Sequence, residues 1–269
     1  MSASPWQVVA ASVQGTAHQK QNLPCQDAHA ADVLSDGSVL LAVADGAGSA
    51  ARSQEGAALA AREALSALRH ALAQVMPADE DGWNDLLCSA FAHARSCLVE
   101  LAADGEAALR QFATTLTCAV ATDDWLAVAR IGDGAVVVEL ADGALVSSSA
   151  PVKGEYANET VFLTMEDALA QVEVQAVHQP ARALMLMSDG LIRLALKLPD
   201  YTPHLPFFQP LVAFAANAGN GEQANNQLAD FLASERVSAR TDDDKTLVLA
   251  VRATGALARP SAALEASAP

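Results

Sequence analysis

Positively charged residues are scarce in this chain. It has 16 Lys and Arg against 32 Asp and Glu, which gives a formal net charge of −16 at pH 7. A nucleic-acid partner or an anionic membrane surface would need Lys and Arg to neutralise its phosphates. We therefore expect neither nucleic acid nor membrane as a partner. Acidic side chains that crowd into one place on such a chain would need cations between them.

The chain is also poor in cysteine. Its four cysteines, Cys25, Cys88, Cys97 and Cys118, form no Cys-x-x-Cys pair, and no His follows them at zinc-finger spacing. Reduced thiols are typical of cytoplasmic proteins. We therefore expect a cytoplasmic location, with Cys88 and Cys97 in helices and Cys118 in a strand.

Several familiar segments and motifs are missing. No uncharged apolar run approaches the ~18–20 residues that cross a bilayer, and the N-terminus lacks the basic and apolar regions of a signal peptide. The sequence has no Gly-x-Ser-x-Gly motif, no P-loop and no EF-hand pattern. These absences argue against serine hydrolases, P-loop nucleotide enzymes and calcium loops.

What the sequence does contain is a set of seven Asp-Gly dipeptides. Asp-Gly is the usual dipeptide of hairpin turns, and this explanation suffices for the four that lie in polar surroundings. Those four begin at Asp36, Asp81, Asp104 and Asp142. Asp45, Asp133 and Asp189 differ because each directly follows an apolar, strand-like run. A strand end is where a rigid scaffold presents functional side chains to a cleft.

The order of predicted elements indicates an α+β fold. With 52% apolar residues the chain can bury a sizeable core. Strands arrive in tight-turn pairs, which favours two packed antiparallel sheets with helices outside them. We predict a single domain over residues 1–252 and a disordered Ala/Pro/Ser tail over 253–269. The predicted strands are 6–13, 28–34, 38–44, 112–121, 125–131, 135–140, 144–148, 160–165, 172–177, 183–188 and 246–251. The predicted helices are 53–75, 83–103, 207–218 and 222–233, with 15–27 as a polar loop and Ser53 as an N-cap.

Acidic residues gather at the predicted strand ends. The 28–44 hairpin should bring Asp27 beside Asp45, and Asp133, Asp189 and the run at 242–244 add further carboxylates. A donor set made of oxygen alone favours Mg²⁺ or Mn²⁺. Two such ions ~3.5–4 Å apart, bridged by one Asp, would activate a water molecule for phosphate-ester hydrolysis.

Six motifs in series resemble the metal-dependent protein phosphatases of type 2C, and most closely their compact bacterial branch. The motifs are Gln26-Asp27, Asp45-Gly46-Ala47-Gly48, Thr114-Thr115-Leu116, Gly132-Asp133-Gly134, Ser188-Asp189-Gly190-Leu191 and Asp243-Asp244-Lys245-Thr246-Leu247. The resemblance implies an α-β-β-α sandwich, two antiparallel sheets flanked by helices, with a Mg²⁺ or Mn²⁺ pair between the sheet edges.

The resemblance also implies a metal-binding role for each aspartate. Asp45 would bridge the two ions, and the Gly46 carbonyl would join one of them. Asp189 and Asp243 would hold the other ion. Asp27 would act through water. The neighbouring aspartates at 242 and 244 leave the register of the Asp243 ligand open by one residue.

The remaining assignments concern a third ion and the substrate. Asp133, together with Asp189, would bind a weaker third ion. The arginine that grips phosphate in many family members is missing here, and His18 and Lys20 occupy that segment. We predict His18 as a catalytic and phosphate-binding residue with Lys20 beside it. Glu155 and Tyr156, in the segment that corresponds to the family's flap, are predicted to contact substrate.

We therefore predict a cytoplasmic, monomeric, Mg²⁺- or Mn²⁺-dependent phosphatase for phosphoserine and phosphothreonine in proteins, paired with a cognate serine/threonine kinase in bacterial signalling. Two alternatives remain open from sequence. One is a non-catalytic phosphoprotein-binding module on the same fold. The other is a hydrolase of small phosphorylated metabolites.

Overall fold

The computed structural model describes residues 6–148, 160–219 and 221–253. The predicted substrate residues Glu155 and Tyr156 lie outside the described residues, as does the predicted tail from residue 254 onward. The strands are β1 (Trp6–Val13), β2 (Ala28–Val33), β3 (Val39–Ala44), β4 (Leu116–Ala121), β5 (Leu126–Ile131), β6 (Ala135–Leu140), β7 (Leu145–Ser147), β8 (Glu173–Val177), β9 (Ala181–Met187), β10 (Leu196–Lys197), β11 (Thr202–Pro203) and β12 (Lys245–Arg252). The helices are α1 (Thr16–Gln21), α2 (Ser53–Leu72), α3 (Glu80–Asp104), α4 (Ile192–Ala195), α5 (Leu205–Ala216), α6 (Gly221–Ala233) and α7 (Glu235–Ser238).

Two five-stranded antiparallel sheets form the centre of the molecule. The first sheet has the order β1-β12-β9-β6-β7, and the second has the order β2-β3-β4-β5-β8. One apolar cluster lies between the sheets, a second joins the second sheet to α2 and α3, and a third joins the first sheet to α5 and α6. The α-β-β-α sandwich is therefore confirmed.

Strand β3 shows why these strands read as continuous apolar runs. All six of its residues are buried. Leu41 and Val43 contribute to the cluster between the sheets, whereas Leu40 and Ala42 contribute to the cluster under the helices. A strand alternates its side chains between two faces, and here both faces are covered, so no polar position interrupts the run.

Helices α2 and α3 pack against each other and against the second sheet. The predicted first helix extends to Val75, but Val75 is 70% exposed because α2 ends at Leu72. Helix α3 starts earlier than predicted, and Asp79 caps it by accepting a 2.9 Å hydrogen bond from the Gly82 amide. By length and composition α3 could cross a membrane, but its Phe91 face is packed in the core as in a core helix.

Several local predictions were wrong. The predicted loop 15–27 contains α1, whose first turn is held by the Asp242 carbonyl, which accepts from the Ala17 amide at 2.9 Å. Segment 160–165 is a turn, and residues 112–115 precede β4. Ser53 is not a cap, because it lies inside α2 and Arg52 occupies the cap position. The Asp-Gly dipeptides at 81 and 104 lie in and at the end of α3 instead of in hairpin turns.

Candidate active site

A cleft of about 190 Å³ opens where one end of each sheet meets the other, and it carries four of the predicted aspartates. Asp45 and Asp133 follow β3 and β5 of the second sheet. Asp189 follows β9 of the first sheet, and Asp243 precedes β12. The lining residues are His18, Asp45, Gly46, Ala47, Gly48, Thr115, Asp133, Thr160, Phe162, Asp189 and Asp243.

Asp27 lies behind this cleft, paired with Asp45 as the hairpin predicts. The β2–β3 register places Ala28 opposite Ala44, so the two aspartates are neighbours at the end of the hairpin. Asp27 is buried and its Oδ2 accepts a 2.7 Å hydrogen bond from the Ser188 hydroxyl. Its Oδ1 is buried without a hydrogen-bond partner. A buried carboxylate oxygen without a partner is a ready position for a cation or a water bound to one.

The aspartates raise one another's pKa values. Burial, with the charges of Asp244 and Asp189, raises the pKa of Asp27 to about 7. Burial and the charge of Asp133 raise the pKa of Asp189 to about 6. The pKa of Asp45 lies well above its ordinary value because of burial and the charges of Asp27, Asp189 and Asp133. Crowded carboxylates of this kind need protons or cations between them.

The backbone around Asp45 is fixed by threonines at the start of β4. The Thr115 hydroxyl accepts from the Asp45 amide at 3.0 Å, and the Thr115 amide donates to the Asp45 carbonyl at 2.8 Å. The Thr114 hydroxyl donates to that same carbonyl at 3.0 Å. These hydrogen bonds fix the backbone of Asp45, from which its side chain extends into the cleft.

Gly46 is needed for close backbone approach. A Cβ at this position would come 2.7 Å from the Gln26 carbonyl oxygen and 2.8 Å from the Ser53 Cβ. Any side chain would therefore push the Asp45 strand end away from the Asp27 segment.

The three aspartates at 242–244 differ in their surroundings. Asp243 faces the cleft, whereas Asp244 turns inward, is 3% exposed and accepts from the Gly15 amide at 2.6 Å and the Gln26 amide at 2.5 Å. Asp242 is exposed. Asp243 is thus the member of the run that can reach an ion in the cleft.

His18 reaches the cleft from α1. Its Nδ1 lies 2.9 Å from Asp244 Oδ2, and the residue lines the cleft together with Gly48. Lys20 is exposed and is not among the cleft-lining residues. Of the two basic residues predicted to contact phosphate, the structure brings only His18 to the aspartates.

Comparison with known proteins identifies the family. The family model of protein phosphatase 2C matches residues 14–233 of the chain. The chain belongs to the protein phosphatase 2C family. The prediction of a phosphoprotein phosphatase is confirmed at this level.

Similar proteins include three from bacteria. Serine/threonine-protein phosphatase 3 of Escherichia coli (strain K12) is 41% identical over 254 residues, which cover 91% of this chain and 98% of that protein. The solved structure of serine/threonine phosphatase Stp1 from Staphylococcus aureus superimposes with a TM-score of 0.57 at 15% identity, covering 91% of this chain and 94% of that one. PppA from Pseudomonas aeruginosa gives a TM-score of 0.58 at 18% identity, with 93% and 98% covered. At such identities these structures show a shared fold.

The structure adds residues to this phosphatase cleft that sequence reasoning missed. The Thr160 hydroxyl donates to Asp133 Oδ2 at 2.7 Å, and the Ser188 hydroxyl orients Asp27. Asp244 is a buried anchor for the segments that carry His18 and Gln26. For Ser188, its position directly before Asp189-Gly190 was a sequence signal that it lies at the cleft. Nothing local in the sequence distinguishes Thr160 or Asp244 from their neighbours.

Proposed function

We propose that this phosphatase hydrolyses phosphoserine and phosphothreonine in proteins with the help of Mg²⁺ or Mn²⁺ held by the aspartate cleft. The observation that carries the proposal is the convergence of carboxylates from both sheets on one cleft, where each raises another's pKa. An all-oxygen donor set with excess negative charge fits hard divalent ions. Asp27, behind the cleft, adds a buried carboxylate oxygen without a hydrogen-bond partner among the described residues.

The proposed ligand assignments follow the position of each group. Asp45 lies between the other acidic side chains and would bridge two ions, with the Gly46 carbonyl on one and Asp189 and Asp243 on the other. Asp27 would act through water, since it lies behind the cleft. Asp133 would share a weaker third ion with Asp189. When bound, these ions would activate water for in-line attack on phosphorus and neutralise the charge that develops.

Side chains of the protein orient the reactants in this proposal. His18 would bind the phosphate through its Nε2 side, because its Nδ1 side lies 2.9 Å from the buried Asp244 carboxylate. Thr115 fixes the backbone of Asp45, and Thr160 donates to the carboxylate of Asp133. The high local negative charge makes a cationic or hydrogen-bonding group necessary for a phosphate to approach.

The substrate class rests on the relatives. The E. coli relative is named a serine/threonine-protein phosphatase, and its similarity extends over nearly the whole of both chains. We propose phosphorylated proteins as substrates and a serine/threonine kinase as the enzyme that produces them. We also propose that the protein is a cytoplasmic monomer. Its free cysteines support a reducing compartment, and cell fractionation with analytical ultracentrifugation would test both points.

The test compares two Asp-Gly aspartates. Asp45→Asn should abolish hydrolysis of a phosphothreonine peptide in Mn²⁺, because it removes the charge between the proposed ions. Asp142→Asn should leave activity unchanged, since Asp142 only accepts from the Ala144 amide in a surface turn. Near-wild-type activity in folded Asp45→Asn would contradict the mechanism. Faster turnover of a small metabolite such as glucose 6-phosphate than of the peptide would favour the metabolite alternative.

The role of His18 has a test of its own. His18→Ala should raise KM for the phosphopeptide by about tenfold with a smaller change in kcat, as expected when a hydrogen bond to a charged group is lost. Lys20→Ala is the matched control from the same helix and should leave KM unchanged. Equal effects of the two substitutions would show that general electrostatic attraction, rather than His18, binds the phosphate.

A further inference from the structure

A second group of potential metal ligands lies outside the aspartate cleft, on the solvent side of the α2–α3 pair. Glu63 of α2 faces His93 and Cys97 of α3, and their ligand atoms all lie within 4.8 Å of one another. His93 and Cys97 are four residues apart, so α3 presents both on one face. The group therefore combines a carboxylate, an imidazole and a thiol from two packed helices.

Two of the distances between these ligand atoms are close to those of a tetrahedral site, and the third, between Glu63 and Cys97, is at most 4.8 Å. His93 Nε2 lies 3.7 Å from Cys97 Sγ and 3.7 Å from Glu63 Oε2. Zinc binds sulfur at ~2.3 Å and nitrogen or oxygen at ~2.0–2.2 Å, which places tetrahedral ligands ~3.3–3.6 Å apart. The Glu63–His93 separation is too long for a direct hydrogen bond but would need only a few tenths of an ångström of closure around an ion.

Arg62 orients the carboxylate of this group. Its Nε donates to Glu63 Oε1 at 2.9 Å, which leaves Oε2 as the oxygen that faces His93. A metal-binding carboxylate is commonly held in this way by a hydrogen bond to its second oxygen. The side chains of Glu63 and His93 are 23% and 50% exposed, so an ion and a water ligand can reach the group from solvent.

We propose that Glu63, His93 and Cys97 form a binding site for a thiophilic divalent cation, of which Zn²⁺ is the best fit, with water as the fourth ligand. The aspartate cleft offers only oxygen, which suits hard ions, whereas this site offers sulfur and nitrogen. The bound ion would fasten α2 to α3. The site does not depend on the proposed function.

One property of the free protein opposes binding. Burial and the charges of Glu63 and Glu100 raise the pKa of the Cys97 thiol, so the ion must displace a proton from sulfur. Zinc bound at sulfur distance deprotonates a thiol outright. Binding is therefore expected to release a proton, which gives the site a signature that surface carboxylates lack.

Cobalt absorption of the full-length, reduced protein would test the site. Excess Mg²⁺ is added to occupy the aspartate cleft. Co²⁺ should then produce a sulfur-to-cobalt charge-transfer band. The band should saturate at one Co²⁺ per protein molecule, with Co²⁺ at micromolar concentration. Oxygen ligands alone cannot produce this band, and Zn²⁺ should remove it. Zn²⁺ should also raise the Tm of the protein through its preference for the folded state.

Three substitutions sharpen the test. Cys97→Ser should remove the band and the Zn²⁺-dependent rise in Tm, and His93→Asn should weaken Co²⁺ binding at least about tenfold. Cys88→Ser is the matched control, because Cys88 is also partly buried on α3 but lies 4.0 Å from Asn84 and outside the group of potential ligands. It should keep the band. A band that is absent from the wild type, survives Cys97→Ser, or disappears in Cys88→Ser would overturn the proposal.

Discussion

Asp243 and Asp244 are neighbours in the chain, yet their environments are opposite. Asp243 is exposed at the cleft, while Asp244 is buried and accepts two backbone amides. Asp244→Asn would place an amide donor against N–H groups, so we expect a loss of about 2 kcal/mol or more in the free energy of unfolding. Asp243→Asn should cost less than about 0.5 kcal/mol of stability, as for an exposed polar residue.

For metal binding we expect the larger effect at Asp243 and the smaller effect at Asp244. Asp243→Asn should weaken Mn²⁺ binding in isothermal titration calorimetry while the fold stays intact. Urea unfolding of both variants, monitored by far-UV circular dichroism, provides the stability comparison. A stability loss centred on Asp243, with Asp244→Asn unaffected, would show that the register of the ligand is shifted by one.

The sequence predicted part of this cleft at the level of residues. Asp27 and Asp45 are paired by one hairpin, and a hairpin register follows from local alternation and an Asp-Gly turn. The choice between Asp243 and Asp244 does not follow from the sequence, because it depends on the amides of Gly15 and Gln26 more than 200 residues away. Contacts of that separation leave no pattern in neighbouring residues.

Helices and strands with a strong apolar periodicity were predictable from the sequence. Elements that depend on contacts with distant segments of the chain were not. The β2–β3 and β4–β5 hairpins and the two long helices correspond to their apolar patterns. Helix α1 has six residues and no buried ones, too few to be stable by itself. It forms because its N-terminal end is bound to the segment 242–244.

Helix α2 contains a glycine whose role is visible only in the packing. A Cβ on Gly56 would come 2.2 Å from the carbonyl oxygen of Phe112. This is a backbone atom, so it could move only if the segment that leads into β4 moved with it. Helix propensity alone favours Ala over Gly by about 1 kcal/mol. We expect the clash to outweigh this gain, so Gly56→Ala should lower the free energy of unfolding by about 1–3 kcal/mol.

The control for Gly56 is a glycine in open space. Gly221 is the first residue of α6, and a Cβ there would meet nothing within 4 Å. Gly221→Ala should be neutral or slightly stabilising in the same urea titration. If Gly56→Ala instead raised the midpoint, α2 would have room to shift on its sheet and the close contact would be unimportant.

For the molecule as a whole, the acidic cleft is expected to make stability depend on pH. Burial and neighbouring carboxylates raise the folded-state pKa of Asp27 to about 7 and that of Asp189 to about 6, both above the ordinary value for an aspartate. The folded protein therefore holds protons that the unfolded chain releases. This stabilisation is fully present below about pH 4 and is lost as pH rises through about 6 to 7.

In a chelator, the free energy of unfolding should thus fall between about pH 5 and pH 8, by on the order of 2 kcal/mol. Mg²⁺ at pH 8 should restore it by binding the folded state. Asp27→Asn should flatten the profile. A chelated protein that becomes more stable as pH rises through this range would show that burial and neighbouring charges do not raise the pKa values of these carboxyl groups in the fold.

The end of the molecule opposite the cleft is held together by Arg252 and Trp6, which are paired across β12 and β1. Arg252 donates to the Ala181 carbonyl at 3.0 Å and to the Thr122 carbonyl at 2.5 Å, and its guanidinium lies over the Trp6 ring, 4.6 Å from the ring centroid. Thr122 belongs to the β4–β5 turn, so this arginine of the first sheet binds the second sheet.

Removing the Arg252 side chain should lower the stability of the protein without changing its catalytic activity. Arg252→Ala leaves buried carbonyls without donors and should lower the free energy of unfolding by about 3 kcal/mol. Because β12 is eight residues long, Arg252 lies about 23 Å from Lys245 at the cleft end, and kcat and Mn²⁺ affinity should be unchanged at temperatures where the variant stays folded.

Arg69→Ala is the control: Arg69 makes a 3.6 Å surface contact with Asp32, and its loss should cost no more than about 1 kcal/mol. Equal losses for the two arginines, or a fall in kcat for Arg252→Ala alone, would contradict the view that the sheets are joined at one end and catalytic at the other.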